Sequence, residues 1–248
     1  MDVLKRLWVV AAVLVLAVAC SSEPAVRVLF VGNSYTASND LPGMVQTLAD
    51  SVGRSMEVEA RAPGGWWLRD HLASADTVDT IATGDFDYVV LQEQSMVPAD
   101  RNLAEKQTKP AAVGLATRAS MTGADLVLFM TWGHRNGSLE VGHSSYDSMQ
   151  IAIANTYDRL AASVVGEVAP VGAAWWMTLA ERRDINLYQP DGSHPTRAGS
   201  YLAAAVIAGT LLDVAPTEFE TDLGLGSDIA LALREFATRA VSGERPWG

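Results

Sequence analysis

Three residues of this chain have the types and spacing needed for nucleophilic catalysis: Ser34, Asp191 and His194. Ser34 lies in VGNSYT (residues 31–36), directly after a run typical of a buried strand. A turn there would hold the hydroxyl at the edge of a sheet. In DGSHP (residues 191–195), an aspartate three residues before a histidine can orient the imidazole and leave its other nitrogen free to accept a proton. Together they predict an activated serine nucleophile.

Each motif also has an ordinary structural interpretation. A serine that follows a strand is often a turn or helix-capping residue. The D-x-x-H spacing alone is equally compatible with a surface turn that caps a helix. The occurrence of both motifs at matching positions in one chain favours catalysis by Ser34, His194 and Asp191.

The elements that must position these residues alternate between short β-branched runs and longer helical stretches. This order is typical of a parallel sheet with crossover helices. We predict strands over residues 26–31, 56–61, 88–92, 126–131 and 168–171. We predict helices over residues 42–52, 68–83, 109–122, 148–165, 196–212 and 228–241. No internal repeat or long Pro/Gly-rich linker divides the chain. The sequence therefore predicts one α/β domain over residues 26–248, a three-layer α/β/α flavodoxin-like fold with a parallel five-stranded sheet.

Polar and aromatic motifs follow each of the predicted strands. In open parallel sheets, ligands bind at the carboxyl ends of the strands. The motifs after strands two to five are GGWW (64–67), QEQS (92–95), WGH (132–134) and WW (175–176). Because these ends share one edge of the sheet, we expect a single site there, completed by Asp191 and His194.

These residues resemble the SGNH (GDSL-type) serine hydrolases, in particular a bacterial lipoprotein branch with GNSYT and LQEQS motifs. The resemblance spans residues 26–212. It implies ester hydrolysis through Ser34, with His194 as general base and Asp191 orienting it. The family's second-block glycine corresponds to Gly64 or Gly65, and the implied oxyanion hole comprises the backbone N–H groups of Ser34 and Gly65. The family's usual G-x-N-D block is replaced here by LQEQ. We expect the Gln92 amide to supply the third donor, with Gln94 as the alternative. No G-x-S-x-G motif surrounds Ser34, which argues against an α/β-hydrolase.

Five tryptophans just beyond predicted strand ends bear on the substrate. Aromatic faces suit sugar rings, so Trp66 and Trp132, together with Gln94, are predicted to contact substrate. Core packing is the alternative for each tryptophan. The group favours a small-molecule or glycan ester, such as an O-acetyl ester on a carbohydrate. His134 and His143 are interpreted as solvated loop residues. No H-x-H or H-x-x-x-H spacing occurs, so no metal and no cofactor is expected.

Charge and the N-terminal segment indicate where the protein acts. The net charge of −11 disfavours nucleic acid as a partner. A Lys5-Arg6 pair precedes an apolar run over residues 7–19, which predicts a signal peptide over residues 1–19. The run ends at Cys20, the only cysteine, which resembles the lipidation site of a bacterial lipoprotein. We therefore expect an exported protein of the cell envelope, anchored to a membrane by a lipid on Cys20 through a tether over residues 20–25. An ordinary cleaved signal peptide with a chance cysteine is the alternative.

Two other functions remain open at this point. An acyltransferase would use the same three residues but pass the acyl group to another sugar rather than to water. A non-catalytic surface lipoprotein would bind glycan through the tryptophans. A binding protein would need neither Asp191 nor His194, so the sequence favours the esterase over it. The sequence does not separate esterase from transferase.

Overall fold

The computed structural model describes residues 24–247, in which five strands alternate with helices. The strands are β1 (Val26–Val31), β2 (Met56–Arg61), β3 (Tyr88–Leu91), β4 (Asp125–Phe129) and β5 (Glu167–Ala169). The helices are α1 (Ser34–Ala37), α2 (Leu41–Ser51), α3 (Leu68–Ala73), α4 (Ala75–Thr83), α5 (Arg101–Leu103), α6 (Lys109–Thr122), α7 (Tyr146–Ala161), α8 (Val171–Glu181), α9 (Arg197–Leu212) and α10 (Ser227–Val241). A π-helical segment, Ala104–Thr108, joins α5 to α6.

All five strands are parallel and pair in the order β2-β1-β3-β4-β5. The central strands are apolar on both faces because helices cover both sides of the sheet. Along β1, Val28 and Phe30 face one layer of helices, whereas Leu29 and Val31 face the other. The predicted three-layer fold with a five-stranded parallel sheet is confirmed.

Helices α2, α8, α9 and α10 lie on one side of the sheet, with α10 packed on α8 and α9, and α4, α6 and α7 lie on the other side. Helix α9 is buried from Gly199 to Leu212 because the sheet and helices α2, α8 and α10 surround it. This burial explains why its sequence is apolar on every face rather than amphipathic. The loop before α9 carries Asp191 and His194, so the most deeply buried helix of the fold anchors them.

The largest differences between the predicted elements and the structure concern two segments. The fifth strand ends at Ala169, and Val171 begins α8, a helix that the sequence analysis missed. A short apolar run cannot be assigned to strand or buried helix by periodicity alone. The predicted helix over residues 68–83 is two helices. Ser74 ends α3, and its side chain caps α4 by accepting a hydrogen bond from the Thr77 N–H.

The predicted signal segment over residues 1–19, and Cys20, lie outside the described residues. Pro24 and Ala25 are described and lead directly into the N-terminal end of β1, whereas Ser34 follows its C-terminal end. Within residues 24–247, no helix has the length and apolar character needed to cross a bilayer.

Candidate active site

Ser34 is the first residue of α1 and follows the end of β1 by three positions. Asn33 caps this helix: its Oδ1 accepts a hydrogen bond from the Tyr35 N–H at 3.1 Å. The Asn33 amide nitrogen donates to the Trp66 carbonyl at 2.9 Å, which ties the turn to the loop after β2. Among residues 24–247 the Ser34 N–H has no acceptor, so it is available to a ligand. Asn33 thus holds both the hydroxyl and the backbone N–H of Ser34 in place.

Ser34, His194 and Asp191 form a continuous chain of hydrogen bonds across 160 residues of sequence. Ser34 Oγ lies 2.9 Å from His194 Nε2, and His194 Nδ1 lies 2.6 Å from Asp191 Oδ2. A carboxylate accepts, so Nδ1 carries the ring proton and Nε2 is left as an acceptor for the serine proton. This is the geometry that a general base requires.

The second carboxylate oxygen of Asp191 fixes the loop. Oδ1 accepts the backbone N–H groups of Ser193 at 2.9 Å and of His194 at 3.0 Å. Burial by itself raises the pKa of Asp191, but these two hydrogen bonds and the one from the His194 ring outweigh it, so the pKa lies below its usual value. The carboxylate is therefore charged at neutral pH and can stabilise an imidazolium at His194.

Ser34 opens into a cleft of about 350 Å³ at the carboxyl edge of the sheet. Gly65 lines this cleft with a positive φ of 76°, a conformation that glycine adopts without strain. Its N–H has no acceptor among the described residues. The cleft is lined by Asn33, Ser34, Tyr35, Gly65, Gln94, Ser95, Met96, His134, Ser193 and His194.

The structure corrects the expectation for Gln92, whose amide does not reach the cleft. Gln92 is 1% exposed and lies beneath the turn that carries Ser34. Its Oε1 accepts from the Asn33 N–H and the Thr36 hydroxyl, both at 2.9 Å. Its amide nitrogen donates to Asn33 Oδ1 at 3.0 Å and to the Glu93 carbonyl. Both N–H groups are thus used within the protein, and Gln92 supports Asn33 instead of contacting a ligand.

Gln94 is the glutamine that faces the cleft. Its Oε1 accepts from the N–H groups of Met96 at 2.8 Å and Val97 at 3.3 Å, which fixes the orientation of the side-chain amide. The amide nitrogen has no acceptor among residues 24–247, so its two N–H groups remain available. Gln94 therefore offers the donor that the sequence analysis assigned to Gln92.

A buried carboxylate connects the two loops that carry Gly65 and Gln94. Glu93 is 1% exposed, and its Oε1 accepts from the Leu68 N–H at 3.0 Å and the Gln94 N–H at 2.7 Å. Its Oε2 accepts from the Thr108 hydroxyl at 2.8 Å. Burial raises the pKa of Glu93, although these hydrogen bonds oppose the shift. Glu93 thereby sets the spacing of the two loops across the cleft.

The tryptophans do not line a common cleft. Trp132 is fully buried, stacked between Tyr35 at 4.6 Å and Trp175 at 3.9 Å. It cannot contact substrate, which corrects that prediction; its Nε1 instead donates to the Ser193 carbonyl at 3.0 Å and supports the His194 loop. Trp66 packs on His71 and lies outside the cleft lining. Of the three predicted substrate contacts, only Gln94 is in the cleft. Stacking of a sugar on Trp66 or Trp132 in this cleft is therefore not supported.

A polar cluster that was not predicted from the sequence lies at one end of the cleft and is defined by Tyr35, Ser95, His134 and Ser193. The Tyr35 hydroxyl lies 2.7 Å from Ser193 Oγ, and Ser193 Oγ lies 3.1 Å from His134 Nε2. Ser95 Oγ lies 3.2 Å from the same nitrogen. His134 is therefore part of the cleft and not a solvated loop residue. Its position directly after β4, in the WGH motif, was the available signal.

His71 supports the turn that carries Ser34 from behind. It is fully buried, with Nε2 2.7 Å from the Gly32 carbonyl oxygen and Nδ1 3.1 Å from Thr77 Oγ1. A carbonyl oxygen only accepts, so Nε2 carries the proton and Nδ1 accepts from the Thr77 hydroxyl. Burial lowers the pKa of His71, although the Gly32 carbonyl and the Asp70 charge oppose the shift.

We expect His71 to make the protein less stable in acid. Its pKa is lower in the folded than in the unfolded chain, so the stabilisation is complete above the usual histidine pKa of about 6.5 and is lost as the pH falls below it. Urea unfolding on both sides of that pH should show a free energy of unfolding that decreases with acidification. In His71→Gln, which keeps a donor for Gly32, the slope should be smaller by up to about 1.36 kcal/mol per pH unit. Equal slopes in the two proteins would contradict this role.

Several solved structures are similar to this chain. A protein described as an SGNH hydrolase from Slackia heliotrinireducens is 34% identical, with a TM-score of 0.64, over 76% of this chain and 100% of that chain. A DUF4886-family protein from Bacteroides uniformis has a TM-score of 0.77 at 17% identity, over 89% and 96% of the two chains. A catalytic mutant of an acetylxylan esterase from Geobacillus stearothermophilus has a TM-score of 0.54 at 14% identity, over 83% and 100%.

The last two likenesses concern the fold alone, whereas the first extends to the sequence over the whole length of the relative. No protein-family profile matches the chain, and no curated protein sequence is significantly similar to it.

Proposed function

This chain belongs to the SGNH hydrolase family, and we propose that it is a serine esterase that hydrolyses small acyl esters, including O-acetyl esters. The observation that carries the proposal is the hydrogen-bonded chain from Ser34 Oγ through His194 to Asp191, which ends in a cleft. The two sequence motifs that could each be a turn or cap are brought within hydrogen-bond distance by the fold. A structural role for either motif does not require that contact.

In the proposed mechanism, Ser34 Oγ attacks the ester carbonyl carbon while His194 Nε2 takes the hydroxyl proton. The charged Asp191 stabilises the imidazolium that forms. The imidazolium then gives its proton to the departing alcohol oxygen, which leaves an acyl ester on Ser34. Water attacks this ester with His194 again as base, and the acid product and free Ser34 are released.

The negative charge on the carbonyl oxygen needs donors that are already in place. We propose the N–H groups of Ser34 and Gly65 and the side-chain amide of Gln94, since all three residues line the cleft and these donors have no acceptor among the described residues. Preorganised donors of this kind are often the largest single contribution to the rate. Gln92 supports the same function indirectly, by holding Asn33.

Replacing Gln94 tests this assignment. Gln94→Glu keeps an oxygen to accept the Met96 and Val97 N–H groups but removes the N–H donor. We expect kcat to fall by at least 10²–10³-fold, about 2.7–4 kcal/mol in the transition state, with a smaller change in KM. Gln92→Glu is the comparison, and it should lower the free energy of unfolding because Asn33 Oδ1 and the Glu93 carbonyl each lose the buried N–H donor of Gln92. A Gln94→Glu enzyme with wild-type kcat would exclude Gln94 from the oxyanion hole.

Steady-state hydrolysis of p-nitrophenyl acetate and butyrate by the purified protein, with and without an added sugar acceptor, tests the proposed reaction. An esterase should release p-nitrophenol at a rate that the acceptor does not raise. Turnover that requires the acceptor would indicate an acyltransferase. Complete inactivity towards esters would favour a protein that only binds.

We further propose that the protein is exported and anchored to a membrane of the cell envelope through a lipid on Cys20. The proposal rests on Lys5-Arg6, the apolar run over residues 7–19 and the position of the only cysteine directly after them. Cys20→Ser should release the protein from the membrane fraction on cell breakage.

A further inference from the structure

One end of the cleft is built from hydrogen-bonding side chains that the proposed reaction does not use. These are Ser95, His134 and Ser193, with the Tyr35 hydroxyl behind Ser193. Ser95 is only 8% exposed, and Trp132 lies beneath the Ser193 carbonyl. Met96 is the one apolar side chain of this part of the lining. A cleft made for an alkyl chain would have apolar side chains at this end.

Two serine hydroxyls of this cluster compete for one nitrogen of His134. His134 Nε2 has a single hydrogen-bonding position in the plane of its ring, whether it carries a proton or a lone pair. Two hydroxyls, those of Ser95 and Ser193, lie within 3.2 Å of it. The Tyr35 hydroxyl lies 2.7 Å from Ser193 Oγ and also interacts with Ser95, so both serines share the same two partners. The serine hydroxyl that is not hydrogen-bonded to His134 Nε2 can bond to a ligand.

Burial keeps these groups uncharged. It lowers the pKa of His134, although the Asp191 charge opposes the shift. It also raises the pKa of the Tyr35 hydroxyl well above its usual value. The cluster therefore presents neutral donors and acceptors, which suit a hydroxyl better than a carboxylate.

The positions of the other reacting groups indicate which part of the substrate meets this end. The carbonyl oxygen must lie near the N–H groups of Ser34, Gly65 and Gln94. The alcohol oxygen must lie near His194 Nε2 to receive its proton, and His194 and Asp191 are on the open side, with side chains 36% and 48% exposed. The remaining substituent of the tetrahedral carbon is the acyl chain, which is thus directed to the enclosed end with Ser95.

We infer that Ser95, His134 and Ser193 bind the acyl part of the substrate, and that the preferred acyl group is short and carries a hydroxyl. The inference rests on the proposed esterase function. A hydroxyl on the acyl group can donate to and accept from the cluster. It can therefore bond to the serine hydroxyl that is not bonded to His134 Nε2. An alkyl group of the same size would remove water from these groups without replacing its hydrogen bonds, which is how polar pockets exclude apolar analogues. His134, as the shared partner, determines the specificity.

The test compares methyl 3-hydroxybutyrate with methyl 3-methylbutyrate, in which a methyl group replaces the hydroxyl. We expect the wild-type kcat/KM to be about tenfold higher for the hydroxy ester. In His134→Phe and in Ser95→Ala this ratio should fall several-fold below its wild-type value, with hydrolysis of p-nitrophenyl acetate still measurable. Since intrinsic ester reactivity is the same for every variant, only the change in the ratio reports on the cluster. His143→Phe is the matched control, because His143 bonds to the Ala99 carbonyl outside the cleft lining, and its ratio should equal that of the wild type.

The outcomes separate this inference from the proposed function. Hydrolysis of p-nitrophenyl acetate with equal ratios in wild type, His134→Phe and Ser95→Ala would overturn the inference and leave the esterase in place. The inference would also be overturned if the cluster selects a hydroxyl on the alcohol part of the ester. In that case His134→Phe would change the ratio of kcat/KM for glyceryl acetate to kcat/KM for propyl acetate. The absence of hydrolysis of any ester would overturn the esterase and this inference with it.

Discussion

Replacing Ser34 with alanine is expected to lower kcat for ester hydrolysis by about 10⁶-fold, which leaves only the residual catalysis that substrate binding and the oxyanion hole supply. The reason is that Ser34 Oγ supplies the bond to the acyl group, and no other hydroxyl in the cleft lies at hydrogen-bond distance from His194 Nε2 within residues 24–247. Water could still be activated by His194, but it would lack the fixed position of Ser34. Hydrolysis of p-nitrophenyl acetate measures the loss directly.

The matched control is Ser163→Ala, which removes an exposed hydroxyl that bonds to the Arg159 carbonyl just after α7. This variant should keep wild-type kcat. Both variants should unfold at the wild-type temperature, so that the loss in Ser34→Ala reports on chemistry and not on folding. A Ser34→Ala protein with more than a few per cent of wild-type kcat would contradict the proposed nucleophile.

Replacing Asp191 with asparagine is expected to lower kcat by about 10⁴-fold. Asp191 Oδ1 already accepts the N–H groups of Ser193 and His194. The single oxygen of an asparagine should stay with these two donors, which turns its NH₂ group towards His194 Nδ1. Nδ1 must then accept, so the ring proton moves to Nε2 and the base can no longer take the proton of Ser34. The charge that stabilises the imidazolium is also lost.

The ring proton of His194 makes this prediction specific. Nitrogen NMR of the imidazole should report protonated Nδ1 in the wild type and protonated Nε2 in Asp191→Asn. Asp184→Asn is the matched control: Asp184 lies in the same loop, is exposed, and pairs only with Arg182. It should change neither kcat nor the tautomer. Wild-type kcat in Asp191→Asn would show that Asp191 acts as a turn residue only.

The parts of the site that the sequence predicted are those held by local geometry. Ser34 follows a strand whose apolar residues identify it, and the carboxyl end of that strand fixes where the turn must lie. Asp191 and His194 are three residues apart, so their contact depends on one turn and not on packing at a distance. For these residues the chain itself supplies the positional information.

Gln92 and Gln94 show where that information ends. Both follow β3, both are polar, and one residue separates them. The side that each faces depends on how the chain turns after Leu91, and this turn is set by Glu93, which bonds to Leu68 and Thr108 from other loops. Those partners are distant in sequence, so the choice between the two glutamines could not be made from the LQEQ motif.

Trp132 and His134 were misassigned for a related reason. Both follow β4 closely, but Trp132 turns inward to stack between Tyr35 and Trp175, whereas His134 faces the cleft. Trp175 is available for that stack because it lies on α8, the helix that the sequence analysis did not recognise. Because α8 was not predicted, the stack of Trp175 on Trp132 was not expected, and Trp132 was wrongly predicted to contact a sugar.

Covalent labelling with ethyl p-nitrophenyl methylphosphonate tests directly whether Ser34 is a nucleophile activated by His194 and Asp191. Ser34 Oγ should bond to phosphorus and displace p-nitrophenolate, with the hydroxyl proton passing to His194. We expect one phosphonate per wild-type chain by intact mass, mapped to the peptide that contains Ser34, with no adduct in Ser34→Ala and slow labelling in His194→Ala. A wild-type protein that remains unlabelled, or that carries the phosphonate on Ser95 or Ser193 instead, would contradict it.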